Sequence, residues 1–190
     1  MSWRCEEANI CRCHIDGVTY YLVDNAHYFY RDKIYGEKDD NERFAFFSLA
    51  CKEIFNFLDY TPDIIHIHDW EVGMLPTLVR ENKFDTRLKK TKFVLTIHNP
   101  AFQGEMDPYL LGDYYNLPYQ LYENGAVRFN MNISTLKAAI MYVDKITTVS
   151  PTHAYELLTP EGSKGLNKVL EYRKGDFVGI VNGVDYDEFD

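Results

Sequence analysis

Imidazole, carboxylate and carboxamide groups recur where short apolar runs of this chain stop. Asp63-Ile64-Ile65-His66-Ile67-His68-Asp69-Trp70 is one such run, and Lys92-Phe93-Val94-Leu95-Thr96-Ile97-His98-Asn99 is another. Between them these groups donate, accept and carry charge. β-Branched and apolar residues over such short windows predict buried strands. In open α/β sheets, ligands bind just beyond the carboxyl ends of the strands. The polar groups therefore stand where a binding site needs them. Lys145-Ile146-Thr147-Thr148-Val149 stops in the same way at Ser150, and Phe177-Val178-Gly179-Ile180-Val181 stops at Asn182-Gly183. Strand ends in register would form the edge of a cleft.

Other elements must hold those ends in place. Gly17–Val23 predicts a strand after an Asp16-Gly17 turn and stops at Asp24-Asn25. His27-Tyr28-Phe29-Tyr30 then leads into a charged loop through Tyr35-Gly36. Asp39-Asp40-Asn41 introduces a helix expected over Glu42–Leu58, with Phe46, Leu49, Ala50 and Phe57 among its apolar positions. A second helix is expected from Glu71 to Asn82, with Pro76 in its first turns, where proline does least damage. The loop Asn99–Gly104 is punctuated by Pro and Gly. Residues 105–130 read as irregular structure with short helices and exposed aromatics. Met131–Tyr142 predicts a helix, and Ser150 is placed to cap another beginning at Pro151. Helices separating the later strands predict the α/β class, with parallel, right-handed βαβ units and no internal repeat.

At 190 residues the chain suits one domain with a real core. An apolar fraction of 46%, with 15 Tyr and 12 Phe, excludes a disordered chain. A net charge of −9 argues against nucleic-acid or anionic-membrane partners, which need a basic surface. No apolar run approaches the roughly 20 residues of a membrane span. Met1-Ser2-Trp3-Arg4-Cys5-Glu6-Glu7 lacks the apolar region of a signal peptide, so the reading is a cytoplasmic protein. Cys5, Cys11, Cys13 and His14 are candidate metal ligands by type. They lack the paired C-x₂₋₄-C spacing of structural zinc sites and read as thiols of a reducing compartment. Asn132-Ile133-Ser134 is a formal glycosylation sequon, read as accidental without a secretory signal.

Taken in order, His68-Asp69-Trp70, Thr96-Ile97-His98-Asn99-Pro100-Ala101-Phe102-Gln103-Gly104 and Leu136-Lys137-Ala138-Ala139-Ile140 resemble bacterial glycogen synthases and plant starch synthases. Lys145-Ile146-Thr147-Thr148-Val149-Ser150-Pro151 and Gly179-Ile180-Val181-Asn182-Gly183-Val184-Asp185-Tyr186 continue the match. Asp24-Asn25, Tyr35-Gly36 and Asp40–Phe47 fit upstream, so the resemblance runs from Gly17 to the last residue. The ordered set is specific, although no single motif is. It implies a Rossmann-like parallel sheet, the incomplete amino-terminal half of a two-domain GT-B glycosyltransferase. It further implies a retaining glucosyltransferase that moves glucose from ADP-glucose to the non-reducing end of an α-1,4-glucan. No metal or other cofactor is then needed. The implied partners are the α-1,4-glucan acceptor and the nucleotide-sugar donor. Residues 1–190 would be part of the acceptor-side domain, which also forms one wall of the donor-glucose site.

By the same resemblance, His98 is the active-site histidine near the transferred glucose. Its imidazole would hydrogen-bond a sugar hydroxyl and help hold the oxocarbenium-like centre. Asn99 offers donor and acceptor groups to hydroxyls, or caps its own loop. Asp69 would accept from acceptor hydroxyls, or cap a helix. Trp70 would give an apolar face to a sugar ring, or pack in the core. Asn182 matches an asparagine near the donor glucose, Gly183 would let the backbone turn tightly, and Tyr35 matches a tyrosine lining the cleft. His66, on the same strand face as His68, reads as structural.

The family's opening strand and its Lys-x-Gly-Gly loop, which contacts the donor phosphates, have no match here. Nor do the arginine, lysine and glutamate of the second domain that grip the nucleotide sugar. The expectation is a fragment lacking its first βα units, with a family role and no activity alone. A stand-alone glucan-binding module, using Trp70, Phe102 and the Tyr-rich 109–122 segment, is the non-enzymatic alternative. His66-Ile67-His68 also resembles the His-x-His of metal-dependent amidohydrolases, with His98 and His153 as further ligands. That fold is usually a barrel of about 250 residues, longer than this chain.

Overall fold

The computed structural model describes residues 1, 4–82 and 86–186, so the final residues matched to the family, 187–190, lie outside it. Strands β1 (Asn9–Ile15) and β2 (Val18–Asp24) form an antiparallel hairpin. Its two-residue turn, Asp16-Gly17, has both φ angles positive (50° and 81°), as the twist of a tight hairpin requires. Only the second strand was expected; Cys11-Arg12-Cys13-His14 is part of the first. Strand alternation puts Cys11 and Cys13 on one face and His14 on the other, where it bonds Thr19 Oγ1 at 3.2 Å. Among the described residues, no group of three His, Cys, Asp or Glu side chains could hold a metal ion.

Next come α1 (Ala26–Phe29), α2 (Asp40–Ile54), β3 (Ile64–His68), α3 (Leu75–Arg80) and β4 (Lys92–Ile97). A smaller unit follows: β5 (Glu105–Met106), α4 (Leu110–Tyr115), α5 (Gln120–Glu123), β6 (Arg128–Phe129) and β7 (Asn132–Ser134). The chain then returns to the main sheet through α6 (Thr135–Tyr142), β8 (Lys145–Thr148), α7 (Pro151–Glu156), α8 (Asn167–Tyr172) and β9 (Phe177–Gly179). The main sheet has the order β3-β4-β8-β9, parallel throughout, which is the α/β class read from the sequence.

One face of that sheet carries the core. Ile65, Ile67, Phe93, Leu95, Ile97 and Ile146 pack with Leu136, Ala139 and Ile140 of α6 and with Leu157, Leu166 and Leu170. A second cluster joins Met74, Leu78, Leu111, Tyr115, Ile133 and Ala138. Helices α2 and α6 serve both, Phe44 and Ile140 on one side, Ala45 and Ala138 on the other. A helix buried on two sides reads apolar nearly all round, as Thr135–Tyr142 does. The other face of the sheet carries Ile64, His66 and His68 of β3 and Val178 of β9, all exposed.

Several expected boundaries move, each for a local reason. The first long helix stops at Ile54, and the N–H groups of Asn56 and Phe57 bond three residues back instead of four. Phe57 is 83% exposed and gains nothing from continuing the helix. The helix expected from Glu71 begins at Leu75. Pro76 cannot donate to Val72, whose carbonyl is taken by Leu75 N–H in a tighter turn. Residues 132–134 are strand, pairing with β5 and β6, and the helix expected from Met131 starts only after them. Ser134 caps it by accepting from Lys137 N–H at 3.0 Å. The Ser150 cap stands as read, accepting from His153 N–H at 3.0 Å before Pro151. In the 109–122 segment, Tyr115 is core whereas Tyr109 and Tyr119 are exposed.

Candidate active site

Strands β3 and β4 pair with His68 opposite Thr96, so His98 lies just past the same edge. At Asp69 the backbone turns to φ 53°, in the left-handed region that Asp and Asn tolerate best. In a continuing strand His68 and Asp69 would point to opposite faces. With this turn, both reach the end of β4. Asp69 Oδ1 accepts from the N–H of His98 (2.7 Å) and from that of Asn99 (3.3 Å). His68 Nδ1 meets His98 Nε2 at 3.0 Å.

The polar line continues back along the open face. His66 Nε2 bonds Thr96 Oγ1 at 2.7 Å, and Thr96 Oγ1 bonds Thr147 Oγ1 at 2.6 Å. The His66 and His68 rings lie 4.4 Å apart between centroids, and those of His68 and His98 5.3 Å apart. Burial, and then the His98 imidazole, hold His66 below its ordinary pKa. Burial, His66 and His98 do the same to His68 against the opposing pull of Asp69. Both rings are therefore held toward the neutral form, in which each nitrogen is either a donor or an acceptor.

Reached from these strand ends through Trp70 and Ala101, a hollow of about 300 Å³ is lined also by Tyr35, Asp40, Asn41, Phe102 and Glu105, and by none of the histidines. The Tyr35 and Phe102 rings meet edge to face at 5.3 Å and are 46% and 42% exposed. Buried Arg43 organises the Tyr35 loop. It donates to Tyr28 O, to Ile34 O and to Asp40 Oδ1, while Asp40 Oδ2 accepts from Gly36 and Glu37 N–H. The floor of the hollow is tightly built. Gly104 has φ +59°, and a Cβ there would stand 2.6 Å from Trp70 Cε3 and collide with Thr135 Oγ1. Thr135 Oγ1 donates to Trp70 O at 2.7 Å and ties α6 to this floor. Two larger hollows, about 420 and 640 Å³, lie elsewhere, one among Leu49, Leu78 and Tyr115 and the other among Ile10, Arg12 and Tyr21 of the hairpin with Phe57 and Tyr60.

His98, Asp69 and Asn99 are thus brought together, with Tyr35 at the adjoining hollow. Trp70 is a correction: only 7% exposed, it packs edge to face on Phe44 at 4.9 Å and belongs to the core. It lines the hollow without offering an open ring face. Asn99 Oδ1 caps its own loop by accepting from Ala101 N–H at 3.0 Å, which leaves its nitrogen as the group to donate. Asn182 and Gly183 lie beyond the end of β9, exposed and outside regular structure. Gly183 has no left-handed φ and nothing near its missing Cβ, so no tight turn accounts for it. His66, read as structural, is bonded into the sheet as described. The sequence reading missed the His68–His98 contact and the part of Asp40 and Arg43 in holding Tyr35. Parallel register of the two His-ended runs was the available signal for the first; nothing local signalled the second.

Over 96% of its length the chain superposes on the catalytic domain of Starch Synthase IV from Arabidopsis thaliana, bound to ADP and acarbose. The TM-score is 0.87 and the identity 30%, over 38% of that protein. The architecture is that of part of the amino-terminal half of a GT-B glycosyltransferase fold. A family model described as the starch synthase catalytic domain matches residues 1–172. The glycogen synthase of Clostridium kluyveri is 46% identical over 98% of the chain, and that of Streptococcus mutans serotype c 43% over all of it. This chain belongs to the starch synthase catalytic-domain family. It spans about 40% of the length of the curated relatives it matches.

Proposed function

We propose that these 190 residues are the acceptor-side part of a retaining glucosyltransferase that extends α-1,4-glucan from ADP-glucose. The supporting observation is the convergence of His98, Asp69 and Asn99 beyond β3 and β4, beside the hollow edged by Tyr35 and Phe102. In this reading His98 faces the transferred glucose, and its imidazole bonds a hydroxyl as positive charge develops at the reacting carbon. Asn99 donates to a second hydroxyl. Asp69 acts through the backbone, fixing both residues, and the Tyr35 and Phe102 rings offer apolar edges to the glucan. Asn182 serves the donor-glucose wall. The Arabidopsis protein's ADP and acarbose support a nucleotide-sugar donor and a glucan acceptor. No metal takes part. Among the described residues, no helix is long and apolar enough to cross a membrane, and the protein is read as cytoplasmic. Turnover needs residues that grip the nucleotide sugar, so the 190 residues alone are expected to be inactive.

The test places this segment in the matching position of the Clostridium kluyveri glycogen synthase and follows glucose incorporation into glycogen. His98→Ala should lower kcat on the order of 100-fold while moving the KM for glucan much less, since its contact matters most in the transition state. An unchanged kcat in an active parent chimera would remove His98 from the reaction.

A further inference from the structure

We propose that His68 is a positioning residue: it occupies His98 Nε2 and so leaves Nδ1 as the ring atom through which His98 meets the sugar. The argument starts from a 3.0 Å contact between two imidazole nitrogens, His68 Nδ1 and His98 Nε2. Such a contact is a hydrogen bond only when one nitrogen bears the proton and the other its lone pair. If His68 donates, His98 carries its own proton on Nδ1 and can donate it to a hydroxyl. If His98 donates, its Nδ1 is a lone pair that accepts from one. In both arrangements Nε2 is spent, and the tautomers of the two rings are locked together.

The backbone makes this more than a chance approach. Asp69, the next residue, holds the His98 N–H at 2.7 Å, so consecutive side chains grip the main chain and the ring tip of one residue. The left-handed turn at Asp69 is what lets both act on the same side. His68 is itself steadied by the His66 ring, 4.4 Å away, which Thr96 and Thr147 anchor in turn. A ring fixed at both ends enters a transition state with little freedom left to lose.

The assignment of Nδ1 to the sugar rests on the catalytic reading of His98; the locking of the ring does not. The test uses long-range ¹H–¹⁵N spectra of the full chain, which resolve imidazole tautomers, with amide dispersion as the check on folding. In the parent, His98 should show one tautomer with a hydrogen-bonded Nε2. His68→Phe keeps a ring but removes the partner and should give averaged tautomers. His68→Asn places a carboxamide near the former Nδ1 and should restore a single form. In the active chimera, His68→Phe should reduce kcat on the order of tenfold with KM nearly unchanged, and His68→Asn should recover most of it. A His98 Nε2 without a hydrogen bond in the parent, or a His98 signal indifferent to His68→Phe, would overturn the proposal. A locked ring with kcat unaffected by both His68→Phe and His98→Ala would instead overturn the role in catalysis and, with it, the assignment of Nδ1.

Discussion

At the residue scale, the site is a matter of which atoms are already committed. Asp69 spends Oδ1 on two backbone N–H groups, and Asn99 spends its oxygen on Ala101. That leaves Asp69 Oδ2, the His98 imidazole and the Asn99 carboxamide nitrogen to meet hydroxyls, two kinds of acceptor and donor that a sugar can use. The histidines also make stability depend on pH. His66 and His68 are held below the usual 6.5 by burial and by neighbouring imidazoles. The folded state therefore binds fewer protons than the unfolded chain as the pH falls past about 6.5. Their contribution is present above that pH and is lost as pH drops through the lower folded values. Urea midpoints should fall between about pH 7 and pH 5, and a His66→Asn, His68→Asn double variant should flatten that part of the curve. An equal slope in both proteins would contradict this assignment. Asp144 titrates in a separate, lower range. Burial pushes it up, but Lys92, the Phe93 N–H and Arg80 outweigh that and hold it below its ordinary value.

At the element scale, short helices depend on their ends. Ser134 accepts from Lys137 N–H and donates to Gln103 O at 2.9 Å, joining the start of α6 to the loop that floors the hollow. Ser134→Ala should cost about 1–2 kcal/mol, read as a lower urea midpoint with unchanged slope. A cost near zero would mean that the loop and α6 are held by packing alone. This junction also shows where the sequence was legible and where it was not. β3, β4 and β8 were read nearly to the residue, because short β-branched runs with polar ends have few other solutions. Ser150 was read as a cap because Pro151 follows it. Ser134 was hidden because residues 132–134 belong to a three-stranded sheet whose partners, β5 and β6, are only two residues long each. Such strands exist through pairing and carry almost no local signal. β1 was missed because its cysteines and histidine were weighed only as ligands or incidental thiols, when alternation was the relevant pattern.

At the scale of the whole molecule, a parallel sheet is normally covered on both faces. Among the described residues helices cover one face, and the other carries His66 and His68 with the exposed side chains of Ile64 and Val178. The histidine line runs along that face to the ends of β3 and β4, and Trp70 and Ala101 connect those ends to the hollow of Tyr35 and Phe102. Trp70 looked like a sugar platform in the sequence because aromatic type does not reveal burial. Its place against Phe44 emerges only when α2 packs on the turn that follows β3. The proposed location for glucan is the end of β3 and β4. The most direct test of that location is an amide and imidazole NMR titration of the 190-residue chain with maltoheptaose. The account predicts shifts clustered at Tyr35, Asp69, His98, Asn99 and Phe102, with Phe57, Tyr60 and the β1–β2 hairpin unmoved. Shifts confined to the hollow lined by Ile10, Arg12, Tyr21, Phe57 and Tyr60, or to the Tyr109–Tyr119 surface, with the strand ends silent, would contradict it.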